Sequence, residues 1–168
     1  MPVTGPVVGL ISDTHGLLRP EAVRALEGSD LIIHAGDVGT AEILDALRAV
    51  APVVAVRGNV DSGAWASVLP ATAVAEVGGV LIYVLHDLNE LDLDPAGAGF
   101  GVVVSGHSHK PASEERGGVL YVNPGSAGRR RFKLPVTVAR LDLGRAPWAV
   151  EFVALDGPAG SGATGSRS

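Results

Sequence analysis

The chain has 168 residues, 46% of them hydrophobic and 18% charged, which fits one domain with a sizeable core. A net charge of −5 and an aromatic content of 4% argue against nonspecific nucleic-acid binding and against base-stacking platforms. The absence of cysteine excludes disulfides and thiolate ligands, so a metal could be held only through nitrogen and oxygen. It also fits a cytoplasmic location, and neither a membrane-spanning apolar run nor a secretory leader is expected.

The first sixty residues alternate regularly. Residues 7–12 form an apolar run suited to a buried strand, and 21–27 place Ala22, Val23 and Leu26 at helical spacing. A second strand is expected over 31–35. Thr40 can cap a helix running through Val50, with Ile43, Leu44 and Leu47 on one face. A third strand is expected over 53–57. Strand–helix–strand repetition implies a parallel sheet with crossover helices. The second half changes character. Strands at 71–77 and 80–86 flank the turn pair Gly78-Gly79, a buried strand follows at 101–105, and strands at 112–116 and 119–123 flank Gly117-Gly118. A last antiparallel pair is expected at 135–143 and 149–154. The chain is expected to divide into a single catalytic domain, 1–155, and a flexible Gly/Ser/Ala-rich tail, 156–168. No internal repeat emerges, and the sum is an α/β domain with two sheets face to face and helices outside.

Polar residues that can bind metals follow these strands in short signatures: Asp13-Thr14-His15, Gly36-Asp37, Gly58-Asn59, His86, and Gly106-His107-Ser108-His109. Asp13 and His15 are two apart, so on an extended segment both side chains point to the same side. The glycine of Gly36-Asp37 lets the chain turn sharply at a strand end, and the two oxygens of Asp37 suit it to a position shared between two cations. Asn59 offers a neutral carbonyl oxygen. Alone, Gly58-Asn59 reads as a tight turn and His86 as a hydrogen-bonded structural residue; their places in the series favour metal binding instead. Two imidazoles at His107 and His109, just past a glycine, have few structural uses. The remaining histidine, His34, reads as a structural residue that orients a ligand.

In that order, the signatures resemble the calcineurin-like metallophosphoesterase superfamily, and within it the small single-domain phosphodiesterases of bacteria and archaea. The resemblance runs from about Val7 to Leu155. It implies a four-layer αββα sandwich, two mixed β-sheets face to face flanked by helices. It also implies two divalent ions, one held by Asp13, His15, Asp37 and His109 and the other by Asp37, Asn59, His86 and His107. Mn²⁺ is the first choice for such an N/O set, with Fe, Zn, Ni and Co as alternatives. Two cations about 3.5–4 Å apart would activate a bridging hydroxide for attack on phosphorus and neutralise charge on the phosphoryl oxygens. The run Asn123-Pro124-Gly125-Ser126 also resembles a loop of the small family; a Pro-Gly turn is the preferred reading, with a position near the site as the alternative.

The chain departs from the wider superfamily at Gly58-Asn59-Val60-Asp61, where a histidine commonly follows the asparagine. Val60 cannot donate a proton, and losing a general acid costs typically about 10²–10⁴-fold, most for poor leaving groups. Activity biased toward diesters or activated leaving groups is therefore expected. Asp61 is a candidate catalytic residue in an orienting role, the alternative being a solvated turn acid. Arg57 and Asn59 are candidates for substrate binding. The arginines at 129–131 read as solvated surface, Asp87 stands where a glycine is frequent, and Trp65 and Leu69 are expected to pack in the core.

The leading reading is a phosphodiesterase acting on a small phosphodiester substrate. A nucleotide or other phosphomonoester phosphatase is the alternative enzyme. A non-catalytic scaffold is the rival, because a eukaryotic retromer subunit shares the fold and acts through protein contacts. No membrane partner is expected, and a homo-oligomer is a candidate assembly.

Overall fold

Apolar side chains at every second position sort the strands into two sheets that share one core. The computed structural model describes residues 6–130, 133–144 and 147–155, so the tail expected at 156–168 lies outside the described residues. In chain order the described elements begin with β1 (Val7–Ile11), α1 (Pro20–Leu26), β2 (Leu31–His34), α2 (Ala41–Arg48), β3 (Val53–Ala55) and α3 (Ala64–Ser67). They continue with β4 (Thr72–Val77), β5 (Val80–Leu85), a 3₁₀ turn at Leu88–Glu90, and β6 (Val102–Val104). The last four strands are β7 (Ala112–Arg116), β8 (Val119–Asn123), β9 (Thr137–Asp142) and β10 (Ala149–Ala154).

Both sheets have five strands and both are mixed. The first has the order β10-β9-β1-β2-β3, with β1, β2 and β3 parallel through α1 and α2 and with β9 and β10 antiparallel. The second has the order β4-β5-β6-β8-β7, with a parallel centre of β5, β6 and β8 and an antiparallel strand at each edge. Gly78-Gly79 and Gly117-Gly118 make the two hairpin turns, all four with positive φ, as a two-residue turn matched to strand twist requires.

The inner faces interdigitate. Val8, Leu10 and Ile33 of the first sheet pack against Ile82, Val84, Val102, Val104 and Val122 of the second. On the outer face of the first sheet, Ile11, Ile32 and Val138 meet Leu26 of α1 and Ile43, Leu44 and Leu47 of α2. The outer face of the second sheet is covered differently. Tyr83, Leu85, Val103 and Val119 are roofed by Leu88, Leu91, Leu93 and Phe100 from a segment whose regular structure is the single 3₁₀ turn. Pro95, Gly97 and Gly99 in that segment oppose a longer helix. The four layers are therefore present, the fourth a thin one.

Three local expectations change. Thr40 stands at the N-cap of α2 but its side chain makes no capping bond; its helix closes at Arg48 rather than Val50. The third strand ends at Ala55 because the Arg57 N–H leaves the ladder and donates to the Pro70 carbonyl at 2.8 Å. The short α3 carries Trp65 against the core under the helices, with Leu69 buried beside it. Among the described residues no helix is long and apolar enough to cross a membrane. Ile33 is fully buried between the sheets. Ile33→Ala is expected to cost about 2–5 kcal/mol of unfolding free energy, read from denaturant titration.

Candidate metal centre

Five parallel strands from both sheets end at one seam, and the polar signatures follow those ends. Asp13 and His15 leave β1, Asp37 follows β2, Asn59 follows β3, His86 follows β5, and His107 and His109 follow β6. The loops are tied backbone to backbone: Asp13 N donates to Gly36 O at 3.0 Å, His15 N to Asp37 O at 2.9 Å, and Gly106 N to His86 O at 2.9 Å. Non-glycine residues with positive φ occur at Asp13, His15, Asp37, His107 and His109 and nowhere else among the described residues. All five belong to the expected ligand set. Such backbone costs of order 1–3 kcal/mol per residue and persists where the surroundings impose it.

The carboxylates are each split into a held oxygen and an offered one. Asp13 Oδ2 accepts from Ser12 Oγ at 2.7 Å and from the His107 N–H at 3.1 Å, leaving Oδ1 unpartnered. Asp37 Oδ1 accepts from the Val60 N–H at 3.0 Å, while Oδ2 lies 3.2 Å from His86 Nε2 and 3.5 Å from His15 Nε2. The imidazole of His86 follows the same rule: Nδ1 donates to Ala35 O at 2.7 Å, so Nε2 faces inward. Close approach of the loops depends on two glycines. A Cβ on Gly58 would strike Asp37 N and Oδ1, and one on Gly106 would strike Ser12 Oγ and lie 2.7 Å from Asp13 Oδ2.

His34 supports this cluster from below. The Gly36 N–H donates to its Nδ1 at 3.1 Å, so the proton sits on Nε2, 3.0 Å from Thr14 Oγ1, which in turn donates to Val38 O at 2.7 Å. Burial pushes His34 down to about 4, against the pull of Asp13 and Asp61. Burial also works to raise Asp13, but the nearby imidazoles of His109 and His15 and the hydrogen bond from Ser12 hold its carboxyl well below the usual range. At His86 burial is again outweighed: the Asp37 carboxylate and the Ala35 carbonyl push it up to about 9.

The donor set fits a cation. Asp13 Oδ1, His15 Nε2, His86 Nε2 and His109 Nδ1 are buried with no hydrogen-bond partner, an arrangement that costs free energy unless something positive is shared among them. Two groups have donor atoms within 4.8 Å of one another: Asp13 with His15 and His109, and Asp13 with Asp37 and His86. They have Asp13 in common, while Asp37 Oδ2 reaches toward a histidine of each.

Asn59 and His107 stand outside these groups. Both line an open cleft of about 330 Å³ next to His86, together with Arg57, Asp87 and Glu90. The exposed His107 ring packs edge-on against His86 at 5.2 Å, with Nε2 3.9 Å from Asp87 Oδ2. Arg57 donates from Nη1 to Leu69 O at 2.7 Å. Asp61 is buried rather than solvated. Its oxygens accept from the N–H groups of Val38, Gly39 and Gly58 at 3.1, 2.9 and 2.9 Å, so it stitches the loop after β2 to the loop after β3. Other supports had no sequence signal beyond the Asn123–Ser126 resemblance. Asn123 Nδ2 donates to Gly106 O and Ser108 Oγ, and Ser126 Oγ donates to the Asp13 carbonyl. That loop is therefore a buttress beneath the site as well as a turn.

Residues 7–146 match the calcineurin-like phosphoesterase superfamily domain. The chain belongs to that superfamily. Its relatives include a probable metallophosphoesterase of Methanocaldococcus jannaschii, 39% identical over 133 residues that cover 71% of this chain and 67% of that protein. The phosphodiesterase YfcE of Escherichia coli is 31% identical over 156 residues, covering 78% of this chain and 84% of YfcE. Among solved structures, Vps29 of Entamoeba histolytica complexed with Zn²⁺ shares the fold with a TM-score of 0.64 at 22% identity, covering 89% of this chain and 99% of that one. Membership makes this chain a phosphoesterase-family protein of the metal-binding kind, with divalent ions as the implied cofactor.

Two measurements test the site. Mn²⁺ or Zn²⁺ is expected to raise the melting temperature of the chelator-treated chain, and Asp13→Asn to abolish that rise. His34 gives a pH signature: its folded value lies below the unfolded 6.5, so the unfolded chain takes up the proton first as pH falls. Its contribution is complete above pH 6.5 and is lost on the way down to about 4, amounting to about 3 kcal/mol. Unfolding free energy measured across that window is expected to fall less steeply in His34→Asn than in the parent chain.

Proposed function

We propose that this chain is a phosphodiesterase that works with two divalent metal ions, Mn²⁺ by first choice. The observation that carries the reading is the convergence on the buried, unpartnered Asp13 Oδ1 of three imidazole nitrogens, His109 Nε2 at 3.4 Å, His15 Nε2 at 3.7 Å and His86 Nε2 at 3.9 Å. Asp13, His15, Asp37 and His109 would hold one ion, and Asp37, Asn59, His86 and His107 the other. When bound, the pair supplies an activated water and neutralises charge on the phosphoryl group.

The chain's own residues account for the rest. The split carboxylates of Asp13 and Asp37 hold their donor oxygens in place before anything binds, so little reorganisation is needed at the moment of reaction. Asn59 and Arg57 line the cleft on the side where a phosphoryl oxygen would lie, with the remaining guanidinium N–H groups of Arg57 available to it. Asp61 is a positioning residue, because its oxygens are taken by three amides and face no substrate. Val60, half-exposed beside Asn59, offers no proton to the departing oxygen, which must take one from water in the open cleft. That favours diesters with stable leaving groups over monoesters.

The rival reading is a non-catalytic scaffold of the same fold. Metal binding alone does not separate enzyme from scaffold; turnover does. Hydrolysis of bis-p-nitrophenyl phosphate is expected to require Mn²⁺, to exceed that of p-nitrophenyl phosphate, and to be lost in Asp37→Asn. No turnover with Mn²⁺, Ni²⁺, Co²⁺, Fe²⁺ or Zn²⁺ would overturn the proposal, and a preference for the monoester would replace it with a phosphatase.

A further inference from the structure

A groove of about 310 Å³ leads away from the metal cluster along the outer face of β7 and β8, and the chemistry above makes no use of it. Gly106 and His107 form its mouth. Ala112 pairs with Asn123 at that end and Arg116 with Val119 at the other, a span of about 13 Å at the usual rise per residue. Tyr121 lines the floor and Leu88 lines the opposite wall. At the far end the Arg116 guanidinium lies 4.2 Å from the centre of the Tyr121 ring.

The charges in the groove are unevenly used. Glu114 is 3.5 Å from Arg116 Nε. Asp87 accepts from the Asn89 N–H through Oδ1 and faces His107 through Oδ2. Lys110, exposed on the rim, has no carboxylate in ion-pair range among the described residues. Among the described residues Lys110 is thus the cation of the groove that no carboxylate engages, and it stands one residue from His109.

We propose that this groove receives one ester arm of the phosphodiester and that the arm is a nucleotide. Its base lies flat on the Tyr121–Arg116 pair, and its further phosphate meets Lys110. A planar base suits stacking on a guanidinium and a phenol. The volume is at the lower end of small-ligand sites, about 300–1,000 Å³, which suits one nucleotide and no more. The inference rests on the phosphodiesterase reading for its substrate but not for its binding site.

Two experiments keep the two apart. With Mn²⁺ present, kcat/KM is compared for the thymidine dinucleotide with and without a 5′-phosphate. The phosphorylated form is expected to be preferred, with the ratio falling about tenfold in Lys110→Ala and recovering in Lys110→Arg. A ratio indifferent to Lys110 would sink the groove assignment while leaving the esterase reading intact. If neither dinucleotide is cleaved, the groove is judged by binding alone. Thymidine 5′-monophosphate added to the chelator-treated chain is expected to shift the NMR signals of Lys110, Arg116 and Tyr121, and to bind more weakly in Lys110→Ala and in Tyr121→Leu. Shifts elsewhere, or none, would overturn the assignment.

Discussion

The Asp13 carboxylate, buried and shared unequally between protein and site, is the constraint on which the rest of this architecture rests. One oxygen is fixed by Ser12 and by the amide of His107, two groups from different sheets. The other is left among imidazoles with nothing to accept from. For that to hold, the chain after β1 must reverse into left-handed backbone at Asp13 and His15, the loop after β6 must approach within van der Waals contact, and a glycine must stand at Gly106. The buried His34 must also stay neutral, because a protonated ring would lose its acceptor for the Gly36 N–H. Each requirement is destabilising or restrictive by itself. Together they are satisfied because both sheets are already packed against each other through an aliphatic core.

Much of this was legible in the sequence, and the reasons are specific. Apolar runs of four to six residues ending in Gly-Asp, Gly-Asn or Gly-His-x-His state both where a buried strand stops and what stands at its end. Hence the candidate ligand series could be read along the chain with the strands that precede it, whereas the order of those strands within the sheets could not. Gly-Gly pairs fixed both hairpins because few other residues accept positive φ twice in succession. What stayed hidden depends on contacts between distant segments. Asp61 looks like a turn acid until Val38, Gly39 and Gly58 are seen to donate to it. Asn123 sits in a Pro-Gly turn, and only the fold brings its amide to Gly106. The left-handed backbone at Asp13, His15, Asp37, His107 and His109 could not be read locally, since aspartate and histidine accept it more readily than most residues but still uncommonly. The roof over the second sheet was unreadable for another reason: leucines at 88, 91 and 93 fit neither a helical nor a strand period.

The comparison with relatives bears on how far fold carries function. A phosphodiesterase and a Vps29 share this architecture, so the sandwich is a platform and the chemistry lies in loops mounted on it. In this chain the loops bring Asp13, His15, Asp37, His86 and His109 together and leave Asn59 and His107 on the neighbouring cleft. On the proposed reading, Val60 would narrow which esters can be cleaved efficiently without disturbing how the cluster is held.

Among the described residues no strand ladder joins the two five-stranded sheets; each is an open sheet, and the strand pairings stay within one or the other. The donor cluster lies across their seam, with Asp13, His15 and Asp37 contributed by one and His86 and His109 by the other. An ion held there would be a rivet between two plates otherwise joined by side-chain packing and connecting loops. Stripping it would leave each plate whole and let them shear first at the end where the loops meet. In such a molecule, the ion that enables chemistry would also set the stiffness of the joint, and occupancy would register in amide exchange along the seam before it registered in the interior of either plate.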